Sequence, residues 1–254
     1  MKIGIIQGRL SEPKEGFQEC PVNWKREFDL LPKLGLNHIE WIITYENFST
    51  NPIFTQDLKQ YPISSVCADF MVSDDFNEST YINEFLKITC EYAIQNEIKN
   101  VTIPLLEKSS IDDNDVADKF IDVFYPHIVR FKDLNFLIEA ELNHKKLKKV
   151  LDLNSNLFVT YDTGNITSHG LSHKDYILEL GDRIKQVHIK DRTRNPLKTV
   201  EPNTGDTDFK LIFEYLNKIN YDGIYTLQTA RGIAGKEIET IKRHKKIIKG
   251  IYND

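Results

Sequence analysis

The sequence predicts a single closed (β/α)8 barrel, and three observations carry that prediction. Short β-prone runs alternate with amphipathic helical runs about eight times along 254 residues, the number of units that a closed parallel barrel needs. An open doubly wound sheet that binds a dinucleotide usually carries a glycine-rich G-x-G-x-x-G turn after its first strand. Here that turn reads Gln7-Gly8-Arg9-Leu10. No low-complexity tract, linker or longer repeat divides the chain, so residues 1–254 read as one domain.

The elements follow in order. Lys2–Gln7 reads as a strand, and Trp24–Leu34 as a helix stopped by Gly35. His38–Ile43 is a strand, Ile53–Gln60 a short helix and Ile63–Phe70 the third strand. Tyr81–Asn96 places Ile82, Phe85, Leu86 and Ala93 at helical spacing. Asn100–Leu105 is a strand and Asn114–Phe131 a helix; Asn135–Leu142 is a strand and His144–Leu151 a helix. Leu157–Asp162 and Ile184–Lys190 are strands on either side of a helix at His173–Leu180. Phe209–Ile219 is a helix with Asp208 as its N-cap, Ile224–Thr229 the last strand and Lys236–Lys249 the last helix. The longest irregular stretch, Asp191–Thr207, lies between the seventh strand and its helix, where long loops are often functional.

Composition narrows the function. With 40% hydrophobic and 28% charged residues the chain is globular. A net charge of -5 argues against a broad nucleic-acid footprint, and the lysines within 145–149 and 242–249 read as solvated helix faces. Three cysteines, Cys20, Cys67 and Cys90, without a C-x-x-C pair argue for reduced thiols rather than a disulfide framework. The N-terminal run has no secretory h-region and no apolar stretch spans a membrane, so a cytoplasmic protein with no membrane partner is expected.

Strand parity then points to a site. Residues alternate faces along a strand. Val159 and Tyr161, Val187 and Ile189, and Tyr225 and Leu227 form apolar sets for the helix side; Thr160 and Asp162, Gln186 and His188, and Thr226 and Gln228 form polar sets for the interior. Glu139, Asp162, His188 and Gln228 fall near the ends of four consecutive strands and are expected to converge at the C-terminal face. Two carboxylates, an imidazole and an amide oxygen suit a divalent cation. Oxygen ligands favour Mg2+ or Mn2+, and the imidazole leaves Zn2+, Co2+ or Fe2+ open. Taken singly, each residue also reads as structural. Glu141 reads as a partner of Lys145 or Lys146, Cys67 as a small buried hydrophobe, and Asp69 as facing the pocket. Of the adjacent Glu40 and Trp41, only one can face inward. Trp24 reads as core.

These residues resemble the xylose isomerase-like sugar phosphate isomerase/epimerase superfamily over nearly the whole chain. The carriers are Gly4–Leu10, Gly35–Trp41, Cys67-Ala68-Asp69, Ile138–Leu142, Tyr161-Asp162-Thr163-Gly164-Asn165, Val187-His188-Ile189-Lys190-Asp191, Thr204–Phe209 and Leu227–Arg231. The resemblance implies a metal held by Glu, Asp, His and a final Glu from the last four strands, which map onto Glu139, Asp162, His188 and the position of Gln228. Related epimerases exchange a proton between two opposed carboxylates, and Gln228 removes one of them. Asn165 stands where many relatives carry a His, and the histidines of the multi-metal endonuclease relatives are not at matching positions.

The leading expectation is a metal-dependent isomerase or epimerase of a sugar, keto-sugar or sugar phosphate. Glu139 would abstract the proton next to a carbonyl. Lys190, Arg192 and Arg231 are candidates for an anionic group of the substrate, and equally read as solvated loop charges. A keto-sugar dehydratase or lyase, which needs one base, and a non-catalytic sugar-binding barrel are the alternatives. Mn, Mg, Co and Zn are the candidate metals.

Overall fold

A computed structural model describes residues 1–13, 20–72 and 81–253. Seven parallel strands come first: β1 (Lys2–Ile6), β2 (Ile39–Ile42), β3 (Ile63–Cys67), β4 (Asn100–Leu105), β5 (Asn135–Ala140), β6 (Leu157–Asp162) and β7 (Ile184–Ile189). An antiparallel hairpin, β8 (Asp191–Arg194) and β9 (Leu197–Val200), follows β7. The last strand, β10 (Ile224–Leu227), pairs in parallel with both β7 and β1. Since β1 also pairs with β2, the eight parallel strands close into a barrel, as the alternation predicts.

The helices are α1 (Trp24–Leu34), α2 (Ile82–Gln95), α3 (Asn114–Arg130), α4 (His144–Leu151), α5 (Thr163–Ser168), α6 (His173–Leu180), α7 (Phe209–Lys218) and α8 (Glu237–Asn253). α1 stops at Gly35, whose φ of 58° belongs to the left-handed region that glycine enters without Cβ strain. α7 is capped as expected, with the Asp208 side chain accepting from Leu211 N at 3.0 Å.

Parity sorts the strand residues into two environments. Val159, Tyr161, Val187, Ile189, Tyr225 and Leu227 join the core beneath the helices. The inward set forms hydrogen bonds across the barrel: Ser65 Oγ donates to Gln186 Oε1 at 3.0 Å, and Thr102 Oγ1 donates to Glu40 Oε1 at 2.7 Å. Ile6, Ile42 and Cys67 make a separate buried apolar cluster. Glu40, fully buried, is thus the inward member of its pair. Trp41 packs outward against Trp24 with ring centroids 5.2 Å apart.

Four local expectations change. Residues 53–60 do not form a helix: a single 3-10 turn spans Pro52–Phe54, and Leu58 N is held by Asn96 Oδ1 at 2.7 Å instead of by a helical carbonyl. β3 ends at Cys67, because Asp69–Met71 turns into a 3-10 helix that returns Phe70 N to Ile43 O. Residues 191–207 are ordered by the β8–β9 hairpin. Finally, α5 starts directly from β6, because the Asp162 side chain caps it by accepting from Asn165 N at 2.8 Å.

Candidate metal centre

Glu139, Asp162 and His188 meet at the C-terminal ends of β5, β6 and β7. One ligand atom from each lies within 4.8 Å of the other two, and all three side chains are buried. His188 Nδ1 stands 3.5 Å from Glu139 Oε2 and 3.9 Å from Asp162 Oδ2, with no hydrogen-bond partner. Its other nitrogen, Nε2, is 2.6 Å from Glu40 Oε2. Asp162 Oδ2 is 2.9 Å from Lys190 Nζ, and Glu139 Oε1 accepts from Asn165 Nδ2 at 3.2 Å.

The electrostatics of this cluster follow from burial. Burial alone would lower the His188 pKa, but the Glu40 and Glu139 carboxylates beside it reverse the sign and raise it to about 10. Burial pushes the Asp162 carboxyl up; Lys190 and His188 outweigh that and hold it below the usual range. The Glu40 carboxyl is likewise held low, because His188, Thr102 and Gln186 outweigh its burial. The carboxylates of Glu40, Glu139 and Asp162 outnumber the Lys190 ammonium and the His188 imidazolium by one in a buried space, and a dication that displaces the imidazole proton would free Nδ1 as a ligand. Unbalanced buried charge is costly, and a dication cancels it. The donor set and the open Nδ1 therefore fit a divalent metal.

The remaining predicted residues are placed as follows. Gln228 lies just past β10, 5% exposed, with its backbone N on Ile189 O and its Oε1 buried without a hydrogen-bond partner. Lys190 is buried, and a Cβ on Gly164 would come within 2.8 Å of its Cγ, so glycine there leaves room for the lysine stem. Arg192 Nη1 donates to Ser168 Oγ at 3.4 Å, while its Nε is buried without a partner. Arg231 Nη1 donates to Gly8 O at 2.9 Å and so ties the loop after β10 to the loop after β1. Glu141 pairs with His169 Nε2 at 3.5 Å and not with the lysines that follow it; Lys146 instead pairs with Asp112. Asp69 is half-buried, and burial together with the Glu139 charge raises its pKa to about 7.

Sequence reasoning passed over three organising residues. Glu27 of α1, buried, accepts from Gly8 N, Leu10 N and Ser11 Oγ at 2.9 to 3.0 Å and shapes the loop after β1. Asp191 accepts from the backbone N–H groups of Thr204, Gly205 and Thr207 at 2.9 to 3.1 Å, tying the segment after β9 back to the start of β8. Asn165, noted only as a departure, steadies both Glu139 and Asp162. The Gly205-containing Thr204–Phe209 run that follows the His-Ile-Lys-Asp segment is the signal that points to Asp191.

A profile of the family described as "Xylose isomerase-like TIM barrel" matches residues 28–249. The chain belongs to this family. Solved structures with the family's barrel superpose over nearly the full length. D-psicose 3-epimerase, solved in the presence of D-fructose, is 15% identical, with all of both chains covered and a TM-score of 0.74. The IOLI protein with a bound zinc atom is 17% identical, with 99% of each chain covered and a TM-score of 0.70. The probable 3-DHS dehydratase AsbF of Bacillus anthracis is 15% identical, with 98% of this chain and 99% of that chain covered and a TM-score of 0.71. No curated protein matches by sequence. At these identities the likeness shows the fold shared across the family. Among the described residues, no helix is long and apolar enough to cross a membrane.

Proposed function

We propose that this protein is a divalent-metal-dependent isomerase or epimerase of a sugar, keto-sugar or sugar phosphate, working from one barrel domain over residues 1–254 in the cytoplasm. The observation that carries the reading is the buried meeting of Glu139, Asp162 and His188 at the barrel mouth, with His188 Nδ1 open toward both carboxylates. Gln228 completes the donor set through its unpaired amide oxygen. Neighbours that are named epimerases, and one that carries zinc, support it; Mn, Mg, Co or Zn fits the mixed oxygen and nitrogen donors.

A bound dication would polarise a carbonyl and its neighbouring hydroxyl, stabilising the enediolate that forms on proton loss. Glu139 takes the proton next to the carbonyl, with Asn165 fixing its other oxygen. Lys190 stays with Asp162 and offsets its charge. Arg231 is engaged with the β1 loop through Gly8 O, so Arg192 is the better receiver of an anionic substituent. A keto-sugar dehydratase is the second reading, favoured by Gln228: an amide cannot act as the second base, whereas elimination needs one base and a leaving hydroxyl. The metal assignment is tested by elemental analysis of protein dialysed against Mn2+ or Zn2+. Wild type retains about one ion per chain and folded His188→Ala loses most of it; equal retention by the variant contradicts the assignment.

A further inference from the structure

We infer that Glu40 is a positioning residue for the metal centre: by accepting from His188 Nε2–H it commits the imidazole to present Nδ1 to the cation. This rests on the metal reading above and adds a residue that lies outside the donor set. The observation is a chain of contacts running inward from the mouth. Glu40 Oε2 lies 2.6 Å from His188 Nε2. Glu40 Oε1 accepts from Thr102 Oγ1 at 2.7 Å; the Gln186 amide nitrogen lies 2.7 Å from His188 Nε2 and, with Nε2–H turned to Glu40, directs its own N–H to the same carboxylate. Gln186 is itself held by Ser65 Oγ at 3.0 Å. These groups come from β2, β3, β4 and β7, and Glu40, Ser65, Thr102, Gln186 and His188 are all at 0% exposure.

A neutral imidazole carries one proton, on either nitrogen, and the nitrogen without it is the ligand. In the neutral ring that a metal requires, a carboxylate against Nε2 places the proton there, which leaves the Nδ1 lone pair toward Glu139 and Asp162, whose oxygens stand 3.5 and 3.9 Å away. The same contact fixes the ring plane and raises its basicity as a ligand. Thr102 and Gln186 hold the carboxylate itself, so it cannot swing to meet the cation. Glu40 therefore acts through His188 and touches neither metal nor substrate.

The test is Zn2+ affinity by chelator competition, with the His188 ring nitrogens followed by 15N NMR in the zinc-loaded protein. Expected are an Nε2-protonated, Nδ1-bound His188 in wild type and a 10- to 100-fold weaker Zn2+ affinity in Glu40→Gln. Thr102→Val, a milder change that frees one carboxylate oxygen, is expected to weaken Zn2+ less than Glu40→Gln does. Zinc bound through Nε2 overturns the inference without any variant. So does a folded Glu40→Gln with wild-type affinity while His188→Ala has lost the ion. Undiminished binding in His188→Ala would instead overturn the metal reading beneath it.

Discussion

Gln228 is the residue on which the choice of chemistry turns. Its amide oxygen is buried and unpaired at the end of β10, which suits a ligand, but an amide does not accept a proton at neutral pH. If Glu139 is the one carboxylate base, a proton would leave and return on the same face, which favours isomerisation or elimination over epimerisation. Inversion needs a base on the opposite face. Gln228→Glu is therefore expected to keep the metal and to raise the epimerised fraction of product at least several-fold, read by chiral chromatography of the sugar after turnover. Loss of metal in that variant would show that the neutral amide is needed for charge balance. Glu139, Asp162 and His188 were legible in the sequence because each sits at a strand end with the right parity. Glu40 was half legible: parity said that one of Glu40 and Trp41 faces inward, but its partner His188 is 148 positions away, and no local pattern reveals such a contact.

At the scale of elements, close approaches that only glycine allows set the positions of the strands. An added Cβ on Gly4 of β1 would stand 2.2 Å from the His38 ring, which fills the barrel between β1 and Thr226 of β10, 3.2 Å from its hydroxyl. Burial lowers the His38 pKa to about 4, so the ring is a neutral packing piece at neutral pH. Gly4→Ala is expected to destabilise the fold by about 1–3 kcal/mol in urea unfolding. His38→Ala in the same chain should return part of that loss, since the two residues share one space. Purely additive losses would contradict the packing account. The hairpin and α5 were not legible for a related reason. Thr163–Ser168 is too short and too rich in Thr, Ser, Asn and Gly to show helical periodicity. It becomes helical because Asp162, already placed by β6, caps it. Asp191 likewise folds a polar run whose order comes from backbone N–H groups more than ten residues away. Long periodic elements such as α1, α2 and α8 were legible because their apolar stripes are local.

For the whole molecule, closing eight parallel strands has a chemical consequence. It brings the ends of β5, β6, β7 and β10 around one small volume. The interior below is hydrogen-bonded across the barrel, and the opposite upper wall of Ile6, Ile42 and Cys67 is apolar. The cluster's buried carboxylates outnumber Lys190 and the His188 imidazolium by one, and in a buried setting fixed charges act strongly on a reacting centre. The reaction proposed for this volume is proton abstraction next to a sugar carbonyl, with Glu139 as the base. The measurement that tests it most directly is solvent-deuterium exchange, followed by mass spectrometry and proton NMR. The Mn2+-loaded protein is offered a panel of ketopentoses, ketohexoses and their phosphates in D2O. The account predicts deuterium at one carbon next to the carbonyl of at least one sugar. It also predicts a loss of 1000-fold or more in Glu139→Gln, on the order of what removing a general base costs, with the metal still bound. Exchange that persists in Glu139→Gln, or no exchange into any sugar of the panel by the metal-loaded wild type, would contradict it.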